Sequence, residues 1–246
     1  MGYGTSADKG ETRSQTHLVL LPGLNNTHAV FHGVLAALPS SVSGHALDNP
    51  ALDTVEAIAA DHLARLPERF WLAGFSFGGY VALAMLAQAP ERIEGIALLC
   101  TAPFADSEAT AQKRLAALEA VKQGQYFDMV EAQAANAFHP DSLANAELMA
   151  ARRNMVQAYG PDTYAAHVRA TAARKDRSHL LDGQRPTLVL ASSDDKVFPP
   201  AVLTAYAENI PGAELRIVER AGHLAPMEQP QAVAGALVNW MGRALR

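Results

Sequence analysis

The sequence predicts an α/β fold: a mostly parallel sheet of about six or more strands, helices on both faces, and a helical insertion after the strand ending near Cys100. Three observations carry this expectation. Short apolar runs alternate with longer helical patterns, as they do in βαβ units. The segment Gly74-Phe75-Ser76-Phe77-Gly78 separates one such run from one such helix. From about Phe104 to Arg185, strand texture disappears and Ala, Glu, Gln and Arg dominate.

Taken in order, His17 to Leu21 is a strand stopped by Pro22-Gly23. Helical spacing around Ala29 to Leu38 leads to a weak strand near Gly44 to Leu47. Asp53 or Thr54 can cap the next helix, which reaches Leu66 ahead of Pro67. Phe70 to Ala73 reads as a buried strand, and Tyr80 to Gln88 is apolar nearly all round, as a helix covered on every side would be. Arg92 to Cys100 holds another strand. Breaks near Gly124, Pro140 and Gly160-Pro161 divide the insertion into four helical pieces, at about 107–122, 125–138, 145–158 and 162–174. Strands return at Thr187 to Ala191 and Glu214 to Val218, and a final helix runs from about Gln231 to Leu245.

With 246 residues, 49% of them hydrophobic, the chain can bury a substantial core within one large domain. A formal charge of −5 and the absence of any basic run give no reason to expect a nucleic-acid partner. The single cysteine, Cys100, rules out an intramolecular disulfide. No stretch approaches the ~18 uninterrupted apolar residues of a membrane span. Residues 1–15 read as a polar, flexible tail without the apolar core of a secretory signal. Met1-Gly2 with Ser6 matches a loose myristoylation pattern, but a cytoplasmic protein without a lipid is the plainer expectation.

The chemistry concentrates at four places. Ser76 lies in a G-x-S-x-G pattern with a strand before it and a helix after it, the setting in which a serine stands on a sharp turn with its hydroxyl exposed. A serine hydroxyl needs a base. Of nine histidines, His223 is the one in a loop that leaves a strand at the carboxyl edge of the sheet, where open α/β sheets place their sites. The base in turn needs an acid. Asp195 fits by its spacing before Pro199, with Asp194 and then Asp106 as alternatives. The charge formed on an attacked carbonyl needs donors, expected from the backbone N–H groups of Phe77 and Leu24.

LPGLNN, GFSFGG, SSDDKVFPP and AGHLAPMEQP together resemble the oxyanion loop, nucleophile elbow, acid loop and histidine loop of the α/β-hydrolase superfamily, in particular its small, capped esterases, lactonases and carbon–carbon hydrolases. The likeness runs over nearly all of residues 16–246 and is weakest in the insertion. It implies Ser76, Asp195 and His223 as catalytic triad, and Leu24 and Phe77 as oxyanion donors. It also implies a core of 16–103 and 186–246 beneath a helical cap of 104–185. The implied activity is hydrolysis of a carboxylic ester of a small to medium, apolar molecule through an acyl-enzyme, without cofactor or metal. A lactonase or carbon–carbon hydrolase with the same triad is the alternative, and a non-catalytic small-ligand receptor is the alternative from another class. Pro22-Gly23 stands where many relatives have His-Gly, and the two antiparallel strands that often precede the first strand are missing from the pattern.

The remaining readings are plainer. Phe104, Phe198 and Leu224 are candidates to line the substrate pocket, while Tyr126, Phe127, Met129, Phe138, Met149 and Met155 fit helix packing. His28 and His32 have i, i+4 spacing but lack the glutamate of a zinc helix, so packing or pocket lining is expected of them. Solvated surface roles are expected of His139 and Arg152, with contact to a polar group of the substrate as the alternative, and Arg174 to Arg177 reads as an exposed linker. The sequence specifies no oligomeric state.

Overall fold

The computed structural model describes residues 15–244. The expected tail and its Met1-Gly2 pattern, apart from Gln15, lie outside them, as does Leu245. The strands are β1 (Thr16–Leu21), β2 (Val42–Ala46), β3 (Phe70–Phe75), β4 (Ile93–Leu99), β5 (Thr187–Ser192) and β6 (Glu214–Val218). Around them lie α1 (His32–Ala36), α2 (Val55–Leu63), α3 (Phe77–Gln88), α4 (Glu108–Lys122), α5 (Tyr126–Ala132), α6 (Ala134–Ala137), α7 (Pro140–Leu143), α8 (Ala146–Ala172), α9 (Pro200–Ala207), α10 (Ala225–Glu228) and α11 (Pro230–Ala244). The strands form one six-stranded sheet in the order β2-β1-β3-β4-β5-β6, every pair parallel.

Alternation along the strands sorts the core onto two faces. Val19, Leu21, Leu72, Ile96, Leu98 and Val189 pack under α2, α3 and α9. Leu18, Leu20, Trp71, Ala97, Leu99 and Leu188 face α1 and α11 on the other side. There Trp71 and Trp240 meet edge to face with centroids 4.8 Å apart, an arrangement that adds about 1 kcal/mol beyond the burial of the two rings. Helix α3 is buried from Phe77 to Leu86, as its all-round apolar character predicts. Thr54, not Asp53, caps α2, its side chain accepting the Ala57 N–H.

The insertion between β4 and β5 folds as five α-helices and a short 3-10 helix, Ser178–Leu180, with a small core centred on Tyr126, Val130, Val156, Tyr159, Tyr164 and Val168. The third and fourth expected pieces are the two arms of α8, which breaks at Gly160, where φ is 75° and ψ 164°. Three expectations fail here. Arg174 and Arg177 are buried, because carboxylates distant in sequence reach them: Asp106 lies 2.8 Å from Arg174 and Glu56 lies 2.6 Å from Arg177. Arg152 is likewise buried, held by Glu131 and by the carbonyl of Val130 at 2.5 Å each. Phe104 turns outward against Tyr206, ring centroids 5.9 Å apart, and is 41% exposed.

Candidate active site

Ser76 occupies the turn from β3 into α3 with φ 50° and ψ −115°, a conformation that residues with a side chain rarely hold. The Ser76 N–H donates to the Leu99 carbonyl at 2.9 Å, and the Gly79 N–H donates to the Ser76 carbonyl at 2.9 Å, so both neighbours over-determine the strained residue. Gly78 allows the turn to press against β1. A Cβ there would stand 2.2 Å from the Leu21 carbonyl oxygen.

His223 reaches Ser76 from the loop between β6 and α10. Its Nδ1 lies 2.8 Å from Asp195 Oδ2, and its Nε2 lies 2.9 Å from Ser76 Oγ. An ionised carboxylate can only accept, so Nδ1 carries the ring proton and Nε2 is left to accept from the serine hydroxyl. The second carboxylate oxygen of Asp195 accepts the backbone N–H groups of Val197 at 2.7 Å and Phe198 at 2.9 Å, which fixes the plane of the group. Phe75 and Phe198 flank the imidazole, with centroids 5.2 and 6.0 Å away. Neither alternative acid reaches the ring. Asp194 accepts from the Ser193 hydroxyl at 2.5 Å, and Asp106 is engaged by Arg114 and Arg174.

Beneath this pair lies Cys100, with its sulfur, an Asp195 oxygen and a His223 nitrogen all within 4.8 Å of one another. Burial, reinforced by the Asp195 charge, pushes the thiol pKa far up. The Cys100 sulfur lies 3.2 Å from the Ser192 hydroxyl.

The loop after β1 runs directly past the serine. A Cβ on Gly23 would stand 3.1 Å from the Ser76 Cβ. Both expected donors, Leu24 and Phe77, line the cavity beside Ser76, and Phe77 opens α3, where backbone N–H groups have no partner within the helix. Side chains unmarked in the sequence analysis hold this loop. Asn49 donates to the Pro22 carbonyl at 3.0 Å and accepts from His62 Nε2 at 2.9 Å. Burial, with the nearby Arg65 charge, lowers the His62 pKa to about 4, so the ring stays neutral in that role. From the insertion, Tyr126 donates to Asn25 Oδ1 at 3.1 Å. His167 stacks on Phe77 with centroids 4.6 Å apart, while donating to the Pro50 carbonyl at 2.8 Å and accepting from Tyr159 at 2.6 Å. Spacing within the sequence gives no sign of these contacts, since they join segments that meet only in the fold.

Ser76 and His223 open onto a cavity of about 590 Å³ between the sheet edge and the insertion. Phe198 and Leu224 line it as expected, whereas Phe104 does not. His28 and His32 also lie outside it, exposed, with His28 2.9 Å from Asp48.

Glu228 was equally unmarked. One of its oxygens accepts the Gly222 N–H at 2.9 Å, next to His223, and the other accepts the His139 N–H at 2.8 Å, in the insertion. Burial raises its carboxyl pKa against these bonds. Glu228→Ala strands two backbone donors and is expected to cost about 1.5–3 kcal/mol in urea unfolding. A loss under about 0.5 kcal/mol would mean that the histidine loop is held by other contacts.

A model of the alpha/beta hydrolase fold family matches residues 16–230. The pimeloyl-[acyl-carrier protein] methyl ester esterase of Aeromonas hydrophila subsp. hydrophila is 25% identical over 241 residues, covering 92% of this chain and 95% of that protein. Among solved structures, a thermophilic esterase from Thermogutta terrifontis superposes with a TM-score of 0.84 at 27% identity, covering 93% of this chain and 90% of the other. The enol-lactonase from Burkholderia xenovorans superposes with a TM-score of 0.80 at 23% identity, covering 95% and 94%, a likeness of fold. With a family match that spans most of its length and a parallel sheet that carries Ser76 at a strand-to-helix turn, the chain belongs to the alpha/beta hydrolase fold family.

Proposed function

We propose that this chain is a serine hydrolase of carboxylic esters of small molecules. The observation that carries the reading is the continuous hydrogen-bond line from Asp195 through His223 to Ser76, ending at a cavity. In this reading His223 takes the proton of Ser76 as the hydroxyl oxygen attacks the ester carbonyl, and the N–H groups of Leu24 and Phe77 receive the oxyanion. The protonated His223 then gives its proton to the departing alcohol. Water, deprotonated by His223, attacks the acyl-enzyme and releases the acid and the free serine. Asp195 keeps the imidazole in the tautomer that can accept, and stabilises its charged form.

The names of the esterases it resembles support ester cleavage. The placement of the cavity supports treating residues 104–185 as a cap over a core of 16–103 and 186–246. No helix among the described residues is long and apolar enough to cross a membrane, and a cytoplasmic location goes with the proposal.

The test is hydrolysis of p-nitrophenyl esters from acetate to decanoate by the purified chain. Turnover with a distinct optimum of acyl length is expected. Tight ligand binding without turnover of any ester would replace the reading by a non-catalytic receptor. Turnover confined to lactones or carbon–carbon substrates would move the bond that is cut.

A further inference from the structure

The cavity wall carries an excess of positive charge. Arg114 from α4, Arg152 from α8 and Lys196 from the loop after β5 all reach it, and no aspartate or glutamate is among the residues lining it. Carboxylates stand behind two of these cations, but each is shared. Asp106 accepts from Arg114 Nε at 2.6 Å and lies 2.8 Å from Arg174. The Arg174 guanidinium sits 4.1 Å from the centroid of the Tyr80 ring, which also lines the cavity. Burial alone would raise the Asp106 carboxyl, yet its bonds to Arg174 and Arg114 hold it below the usual carboxylate range. Glu131 serves Arg152 at 2.5 Å and Arg153 at 3.6 Å. Lys196 donates to the Ala135 carbonyl at 3.2 Å, and no described carboxylate lies within 4.0 Å of it.

Counting Arg174 and Arg153 behind the wall, each shared carboxylate leaves one positive charge over and Lys196 adds another, against the one carboxylate of Asp195 behind His223. This gathering occurs in a chain whose formal net charge is −5. Of the three cations on the wall, the Arg152 side chain is 7% exposed and Arg114 33%, whereas Lys196 is exposed and its charge is screened by solvent. Holding unbalanced cations at a partly dry wall costs free energy unless a counter-charge arrives. Between them the wall mixes apolar side chains, Leu24, Val130, Val156, Phe198 and Leu224, with the amides of Asn25, Gln133 and Asn136.

We propose that the substrate carries a carboxylate at an end that does not react, joined to the ester by an apolar chain, and that Lys196 and Arg114 recognise it. The inference rests on the esterase reading for the bond cleaved, but not for the binding of the anion. A charge-assisted hydrogen bond in such a place favours the anionic compound over a neutral one of equal length by roughly tenfold to hundredfold.

The test compares kcat/KM in a pH-stat for monomethyl adipate against methyl hexanoate, and for the acetyl ester of ω-hydroxyhexanoate against hexyl acetate. The two pairs place the carboxylate on the acid side and on the alcohol side. At least one pair is expected to show the preference, which falls towards unity in the Lys196→Gln, Arg114→Gln double variant. Lys196 is exposed, and Asp106 keeps Arg174 when Arg114 is lost, so the double variant is expected to fold. Ratios near unity in both pairs, or a preference that survives the double substitution, would overturn the inference and leave the esterase intact. If none of these esters turns over, calorimetry of Ser76→Ala with monomethyl adipate and with neutral methyl hexanoate decides. Binding of monomethyl adipate at least about tenfold tighter upholds anion recognition. Equal affinities overturn it.

Discussion

Ser76→Ala is expected to abolish measurable ester turnover, lowering kcat by about 10⁴- to 10⁶-fold while the chain stays folded. Alanine keeps the Cβ that already sits at φ 50°, and the backbone bonds to Leu99 and Gly79 do not involve the hydroxyl. Loss of one oxygen therefore removes the nucleophile without disturbing the turn that presents it. Stopped assays on p-nitrophenyl acetate, beside circular dichroism melting curves, separate the two effects. A variant with a near-normal rate would end the assignment of Ser76, and a variant that unfolds would show the hydroxyl to be structural.

Asp195→Asn is expected to be nearly as damaging, at about 10⁴-fold in kcat, whereas Asp194→Asn should stay within about threefold. The reason lies in the fixed plane of the group. The backbone N–H groups of Val197 and Phe198 point at Oδ1, so the one carbonyl oxygen of an asparagine would be drawn to that side. Its NH₂ would then face His223 Nδ1, force that nitrogen to accept, and move the ring proton to Nε2. The imidazole would still touch Ser76 but could no longer take its proton. Asp194, turned towards Ser193, has no such leverage. The reverse ranking of the two variants would shift the acid by one residue.

Much of the architecture is legible in the sequence because it is local. Strand periodicity, the caps and the glycine turn at Ser76 are properties of neighbouring residues, and β6 falls on the very residues expected. The short helix Pro200–Ala207 escapes the sequence analysis, because two prolines at its start mask a run of only eight residues. Arg152, Arg174 and Arg177 look solvent-exposed until Glu131, Asp106 and Glu56 arrive from distant parts of the chain. Phe104 has the apolar character of a pocket residue, but it meets Tyr206 edge to face outside the cavity and stays 41% exposed. The hydrogen-bond line of the candidate site is legible in its residues, since each lies in a loop of distinct composition. The supports at Asn49, His62, His167 and Glu228 are not, because a buried polar residue shows its purpose only once its partner is beside it.

The way the insertion is attached has a consequence for how such a molecule diversifies. It leaves β4 and re-enters at β5, two strands already paired side by side, so the sheet closes whatever length of chain lies between them. Its bonds to the loops around the site include Tyr126 to Asn25, His167 to Pro50, the His139 N–H to Glu228, and the Leu224 N–H to the Ala137 carbonyl. A block exchanged between relatives, by recombination or in the laboratory, could therefore change what enters the site without rewriting the line of groups that breaks the bond. The transplant would have to bring an aromatic hydroxyl, a neutral ring donor, a backbone N–H and a backbone carbonyl back to those addresses, and a graft that omits them would loosen the very loops it is meant to serve.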